Sequence, residues 1–273
     1  MKKTLLAIFA TGLSLFGFAQ EDSTKPRQDT IRVGGMIIVN SKDSSGDNNR
    51  EFRFSNRRSG KPSNLKTNWW IFDIGFANIV DNTNYGSPEA QAFAPGMDEE
   101  KMGLKGKSIN VNIWFFMQRL NMIKHVVNLQ YGLGLELNNY HFDDETVRFQ
   151  KNPTQIFLDP TTLAGAKKNK LAADYITIPM MLNFNFTPGR KRGFGLSAGV
   201  SAGYLYSARQ KIKIDGDKTK LKDDFDLERW KLSYIGELNL GPVKLYGSYA
   251  MNNMWSKGLD QTPYNVGIRF SNW

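Results

Sequence analysis

Seven ionisable residues of this chain stand where a β-strand would turn them inward: Asp73, Glu136 and Glu237 against Arg229, Lys231, Lys244 and Arg269. Opposite charges sharing a narrow enclosure neutralise one another, since a lone buried charge is costly. The set therefore suits an ionic, hydrogen-bonded plug, with a proton or ion path or a ligand site as the alternative. A second grouping places His141 beside Asp143, Asp144 and Glu145, the form of a base with an orienting carboxylate. No serine stands next to it on an inward position, so enzymatic chemistry is not expected and no catalytic residue is assigned. Zero cysteines exclude disulfides, iron–sulfur clusters and cysteine-based zinc sites, and two histidines (His125 and His141) make a histidine-rich metal site implausible. The outer acids Asp98, Glu99 and Glu100 and the Asp215-Gly216-Asp217 run lack the order of a calcium loop. The expectation is no metal and no cofactor.

Strands must position these groups. Between Asp174 and Phe186 the chain reads DYITIPMMLNFNF. Ile176, Ile178, Met180, Leu182, Phe184 and Phe186 fall on one side, and Tyr175, Thr177, Pro179, Met181, Asn183 and Asn185 on the other. Period-two alternation is the mark of a strand with one apolar face. Seven further segments repeat it, beginning near Trp70, Ile109, Val127, Phe194, Trp230, Val243 and Tyr264. The second is read with Phe115 and Met117 outward and Gln118 inward; Trp114 has inward parity. Pro179 must break one ladder bond, and a bulge or bend is expected there. Each strand is expected close to the nine to eleven residues that a tilted membrane strand needs. Connections alternate long and short, as in barrels with short periplasmic turns and longer outside loops. The charged outer loops read as a solvated surface.

The ends agree. The first residues, MKKTLLAIFATGLSLFGFAQ, have a basic start, an apolar run from Leu5 to Phe18, and small residues before a cut ahead of Gln20. Removing Lys2 and Lys3 with this leader from 36 basic residues leaves 34 against 26 acidic, a net charge of +8. Outer-membrane lipid, lipopolysaccharide or envelope and secretion-system proteins are the expected counterparts, and nucleic acid is not. Residues 20–68 are polar, with a hairpin expected across SSGDNN and a basic flank of Arg50, Arg53, Arg57, Arg58, Lys61 and Lys66. That flank is either a solvated linker or a contact with anionic headgroups or a periplasmic partner.

The strand DYITIPMMLNFNF followed by GFGLSAGVSAGYLY resembles the outer-membrane β-barrel domain family that includes PorT-like proteins of Bacteroidetes-type bacteria. Tyr175, Ile178, Pro179, Met180, Met181 and Leu182 carry the match, and DTIRVGGMIIV looks like a pre-barrel stretch of some members. The resemblance covers about residues 68–273 and implies fold and envelope location, with no catalytic residues to carry over. For close relatives of PorT it implies an accessory role in type IX secretion.

The expected fold is all-β: an eight-stranded antiparallel up-and-down transmembrane barrel with a short, partly disordered N-terminal periplasmic extension. The divisions are a signal peptide over 1–19, the extension over 20–68 and the barrel over 69–273. Both termini are expected in the periplasm, in a bacterial outer membrane. The function expected is structural or accessory, with a narrow channel for small solutes or ions as the alternative. A lipid-modifying or proteolytic barrel enzyme comes third.

Overall fold

A computed structural model describes residues 30–33, 36–42, 48–54, 63–188, 190 and 193–271. The expected signal peptide and Arg57, Arg58 and Lys61 lie outside the described residues, and Arg50 and Arg53 are placed by backbone alone. The chain divides into two compact units, Met1–Pro62 and Ser63–Trp273. In the first, β1 (Thr30–Val33), β2 (Met36–Lys42) and β3 (Asn48–Phe54) form an antiparallel meander, with Lys42 opposite Asn48 at the hairpin end.

The second unit carries β4 (Leu65–Asp81), helix α1 (Pro88–Phe93), β5 (Ile109–Ile123) and β6 (Val127–His141). Next come the short strands β7 (Val147–Gln150) and β8 (Gln155–Leu158), then β9 (Ala166–Asn185) and β10 (Phe194–Ile214). It ends with β11 (Asp217–Lys222), β12 (Trp230–Leu240), β13 (Lys244–Ala250) and β14 (Gln261–Phe270). Antiparallel pairing runs β4-β5-β6-β9-β10-β12-β13-β14, and β14 returns to β4, closing a ring of eight strands. Closure leaves the ring without a sheet edge, which is what a lipid-embedded sheet requires. Short turns at 124–126 and 241–243 and the short connection from Asn185 to Phe194 lie at one end, shared by Leu65 and Phe270; long connections lie at the other.

Alternation places Phe72, Ile74 and Phe76 on the exposed outer face of β4, with Ile71, Asp73 and Ala77 buried between them. On β9, Ile176 through Phe184 alternate the same way with Tyr175 through Asn183. Four sequence readings need correction. β4 starts at Leu65 and its residues Leu65–Trp69 pair with Phe116–Leu120 of β5, so exposed Lys66 belongs to the barrel wall and not to the extension. Pro179 carries no bulge: Pro179 faces Ser201 in register, and on the β6 side the ladder lapses after Tyr131–Met180 and resumes unshifted at Gly134–Thr177. Irregularity falls instead at Trp70 (φ 56°), opposite Phe115, where β5 shifts its register against β6. One extra residue there reverses the alternation. Met117 is consequently buried inside, against Ile71, Trp114 and Met181, and Gln118 bonds Thr67 on the more exposed side.

Strand length is the fourth. β9 and β10 have 20 and 21 residues and run well past the apolar band. A second register shift, at Tyr206 between Leu205–Tyr175 and Ser207–Asp174, marks where they leave it.

Beyond the wall the long connections fold together. Phe93 and Met102 from the first, Phe149 and Ile156 from the second, Phe225 from the third and Trp255 from the fourth share one buried apolar cluster. Phe149 is at its centre, with ring centroids 5.1 Å from Phe225, 5.7 Å from Phe142 and 6.1 Å from Trp255. The loops are thus a packed cap with a charged exterior, not merely a solvated surface.

Candidate functional site

Inside the ring, one hydrogen-bonded circuit links most of the inward ionic residues. Arg269 stands opposite Asp73 where the last strand meets the first. Its Nε and Nη2 donate to the two Asp73 carboxylate oxygens, each at 2.8 Å, and its Nη1 donates to Glu237 Oε2 at 2.7 Å. Asp73 also accepts from Trp114 Nε1 at 2.8 Å and from Asn112 Nδ2 at 3.1 Å. Asn110 Nδ2 donates to Asn112 Oδ1 at 3.0 Å and to Asn138 Oδ1 at 2.9 Å, and Asn138 Nδ2 reaches Glu136 Oε1 at 3.1 Å. Glu136 then receives the Lys231 ammonium across the lumen.

Glu237 and Lys231 both lie on β12, so the circuit leaves that strand, passes through β14, β4, β5 and β6, and returns. Every member is buried. Bidentate, charge-assisted bonding and shared amides compensate for the charges taken out of water. The Arg269 guanidinium lies 5.5 Å from the Trp114 ring and the Lys231 ammonium 5.6 Å from the Tyr175 ring, which adds cation–π attraction. Lys244, directly opposite Arg269 on β13, is buried and donates to Ser271 Oγ at 2.5 Å.

Arg229 is not part of this assembly. β12 begins at Trp230, so strand parity does not reach Arg229, which is largely exposed and 3.7 Å from Asp224 in the loop. The circuit also needs three asparagines that a search for charges passes over: Asn110, Asn112 and Asn138. Their shared inward parity with Asp73 and Glu136 was the available signal.

The space left is small. The lumen cavity bounded by Asn112, Trp114, Glu136, Thr177, Tyr246 and Arg269 has about 30 Å³. That admits roughly one water. Gly75 and Gly267 face each other where a methyl group would collide with the Tyr246 ring, so the missing side chains let that ring cross the lumen.

At the loop end, the cap is stitched to the wall by amides. Gln210 Oε1 accepts from Phe149 N at 3.1 Å while its Nε2 donates to Val147 O and Asn169 Oδ1, both at 2.9 Å. The side chain thereby supplies the hydrogen bonds a neighbouring strand would give β7.

Among the described residues no carboxylate bonds the His141 imidazole. The residue is buried, its backbone N–H donates to Ser108 Oγ at 2.8 Å, and its Nδ1 has no hydrogen-bond partner. Burial, then Lys170, Lys168, Lys107 and Lys105, push its imidazole down to about 4. Two of the three neighbouring acids are engaged elsewhere: Asp144 binds Thr146, and Glu145 pairs with Lys105. Among the described residues no three His, Asp or Glu side chains gather as a metal would require.

Comparison with known proteins gives one family. No curated protein matches the chain. A solved structure, the attachment invasion locus protein Ail of Yersinia pestis, aligns over 75% of this chain and 98% of its own at 10% identity and a TM-score of 0.31, too distant to carry an argument. The family model described as outer membrane protein β-barrel domain matches residues 18–254. The closed eight-stranded ring and that match agree, and this chain belongs to the outer-membrane β-barrel domain family.

Proposed function

We propose that this protein is a non-enzymatic envelope barrel with a structural or accessory role, closed to solute traffic. The observation that supports this most is the ionic circuit that starts and ends on β12 and leaves a lumen cavity of about 30 Å³. Evolution of a conduit would favour a wetter interior; a filled eight-stranded barrel instead offers a rigid wall and a capped outer end. In this reading the turn end and both termini are periplasmic, and the polar segment before β4 reaches toward envelope partners. The PorT-like resemblance supports secretion machinery as the class of partner.

The experiment is planar-bilayer recording on refolded protein, paired with the native mass of the complex extracted from outer membranes in mild detergent. Absence of conductance steps together with a mass well above that of the lone chain is expected. Discrete steps of stable size would replace this reading with a narrow channel.

A further inference from the structure

Past the Tyr206 shift, the outer face of β9–β10–β11 is a lattice of cations. Lys170, Lys211 and Lys220 stand opposite one another in one row. Lys168, Lys213 and Lys218 make the next row on the same face, and Arg209 with Lys222 the row before. The alternate residues Leu171, Gln210 and Asn169 are buried against the cap, which fixes the lysine face as the outward one. Acids offset little of this charge. Asp174 is taken by Arg209, while Asp215 and Asp217 sit at the hairpin tip.

This face continues the lipid-facing band. On the same ribbon Ile176, Ile178, Tyr204 and Tyr206 are exposed outward, and the Tyr204 and Trp230 rings meet at 5.0 Å in the position of an interfacial aromatic belt. Lys211 lies five residues beyond Tyr206, roughly 17 Å along a strand rising about 3.4 Å per residue. With strands tilted by about 40°, the Arg209–Lys222 row stands roughly 8 Å above Tyr206, at the headgroup layer, and the Lys170–Lys211–Lys220 row roughly 13 Å above it, within reach of that layer for long lysine side chains. Burial first, then repulsion from Lys168, Lys211 and Arg209, bring the Lys170 ammonium down to about 8, and burial with Arg209 shifts Lys211 the same way.

We propose that the β9–β10–β11 face binds the clustered phosphates of the surrounding outer-leaflet lipid. Alternating lysines on three strands present a two-dimensional array matched to a carpet of phosphomonoesters, which is denser in charge than a single free anion. The inference rests on the lipid-facing band and on the orientation in the proposed reading, loop end outward, and not on the closed lumen. A conducting barrel that still bound phosphorylated lipid would remove the earlier reading and leave this one.

The test uses the full chain refolded in zwitterionic detergent, with retained lipid counted by native mass spectrometry. The probes are bisphosphorylated lipid A, the same lipid dephosphorylated, and a heparin fragment as a soluble polyanion. The wild type is expected to hold bisphosphorylated lipid A at least tenfold more tightly than the dephosphorylated form, and less tightly as salt rises. Lys168→Gln/Lys211→Gln/Lys213→Gln/Lys220→Gln is expected to weaken that binding on the order of a hundredfold. Lys218→Gln/Lys220→Gln, confined to the exposed outer strand, serves if the quadruple variant misfolds and is expected to lose on the order of tenfold. Equal retention of both lipids, or wild-type affinity in the folded variants, overturns the proposal. Tighter binding of heparin than of lipid A also overturns it, in favour of a soluble polyanion.

Discussion

Asp73 and Arg269 form a two-point ion pair on the seam where the ring closes, with both bonds at 2.8 Å and both side chains buried. The same guanidinium holds Glu237, so one cation ties β14 to its neighbour β4 and, past β13, to β12.

Breaking that pair from one side is therefore costly. Asp73→Ala leaves the buried guanidinium with Glu237 alone and removes the acceptor of Trp114 and Asn112, with an expected loss of about 3–5 kcal/mol. Replacing both partners by Met would strand the buried Glu237 carboxylate, so it is the triple change that adds Glu237→Gln that is expected to recover a large part of it. Urea midpoints of barrels refolded in detergent micelles measure both, and an Asp73→Ala variant within 1 kcal/mol of wild type (roughly the worth of a surface pair) would show the pair to be dispensable.

Glycines on the two faces of the wall should respond differently. A Cβ at Gly267 meets Ile74 and Gly75 backbone and the Tyr246 ring, and one at Gly199 meets Met180 and Met181 backbone. Ala at either is expected to cost about 1–3 kcal/mol. Gly236 and Gly247 lie opposite each other, and the nearest atom to an added Cβ is 3.7 Å away in each case. Ala there is expected to stay within about 0.5 kcal/mol of wild type. Heat-modifiability on gels ranks the four.

The cap should detach without the wall. Gln210→Leu leaves Phe149 N–H without its side-chain acceptor and removes a donor from Val147 O, an expected cost of about 2–4 kcal/mol. Hydrogen exchange should rise across β7 and β8 while β4–β6 stay protected. Uniform loss of protection would mean that cap and wall unfold as one.

Acid should loosen the same region. His141 falls from an ordinary 6.5 to about 4 on folding, so the unfolded cap binds more protons between those values and stability declines as pH drops through that window. Lys170, lowered to about 8, gives the same sign at the other end: stability rises as pH climbs from about 8 toward 10.5. His141→Gln is expected to flatten the acidic slope of cap proteolysis and leave the alkaline one.

The wall was readable in the sequence because lipid on one side and packed amides on the other impose a period of two; Ile176–Phe186 carries it without a break. It failed at IWFFM, where residues on both sides of the Phe115 irregularity are apolar and an inserted residue leaves no trace in the pattern. Asp73, Glu136, Lys231, Glu237, Lys244 and Arg269 could be read as inward from parity alone, but Arg229 sits one residue before its strand, where parity has no meaning. The cap was illegible for a different reason. Its apolar members come two to four per loop, spread among charges, and only tertiary contact assembles them. The lysine rows needed pairing register, which no single strand contains.

The pair on the closing strands has a bearing on traffic sideways. A barrel that releases a lipid or a nascent strand into the bilayer does so by parting its first strand from its last. Here that parting would have to pull a doubly bonded guanidinium off its carboxylate inside a packed lumen whose cavity admits roughly one water. The wall is latched at the one joint where a lateral gate would open.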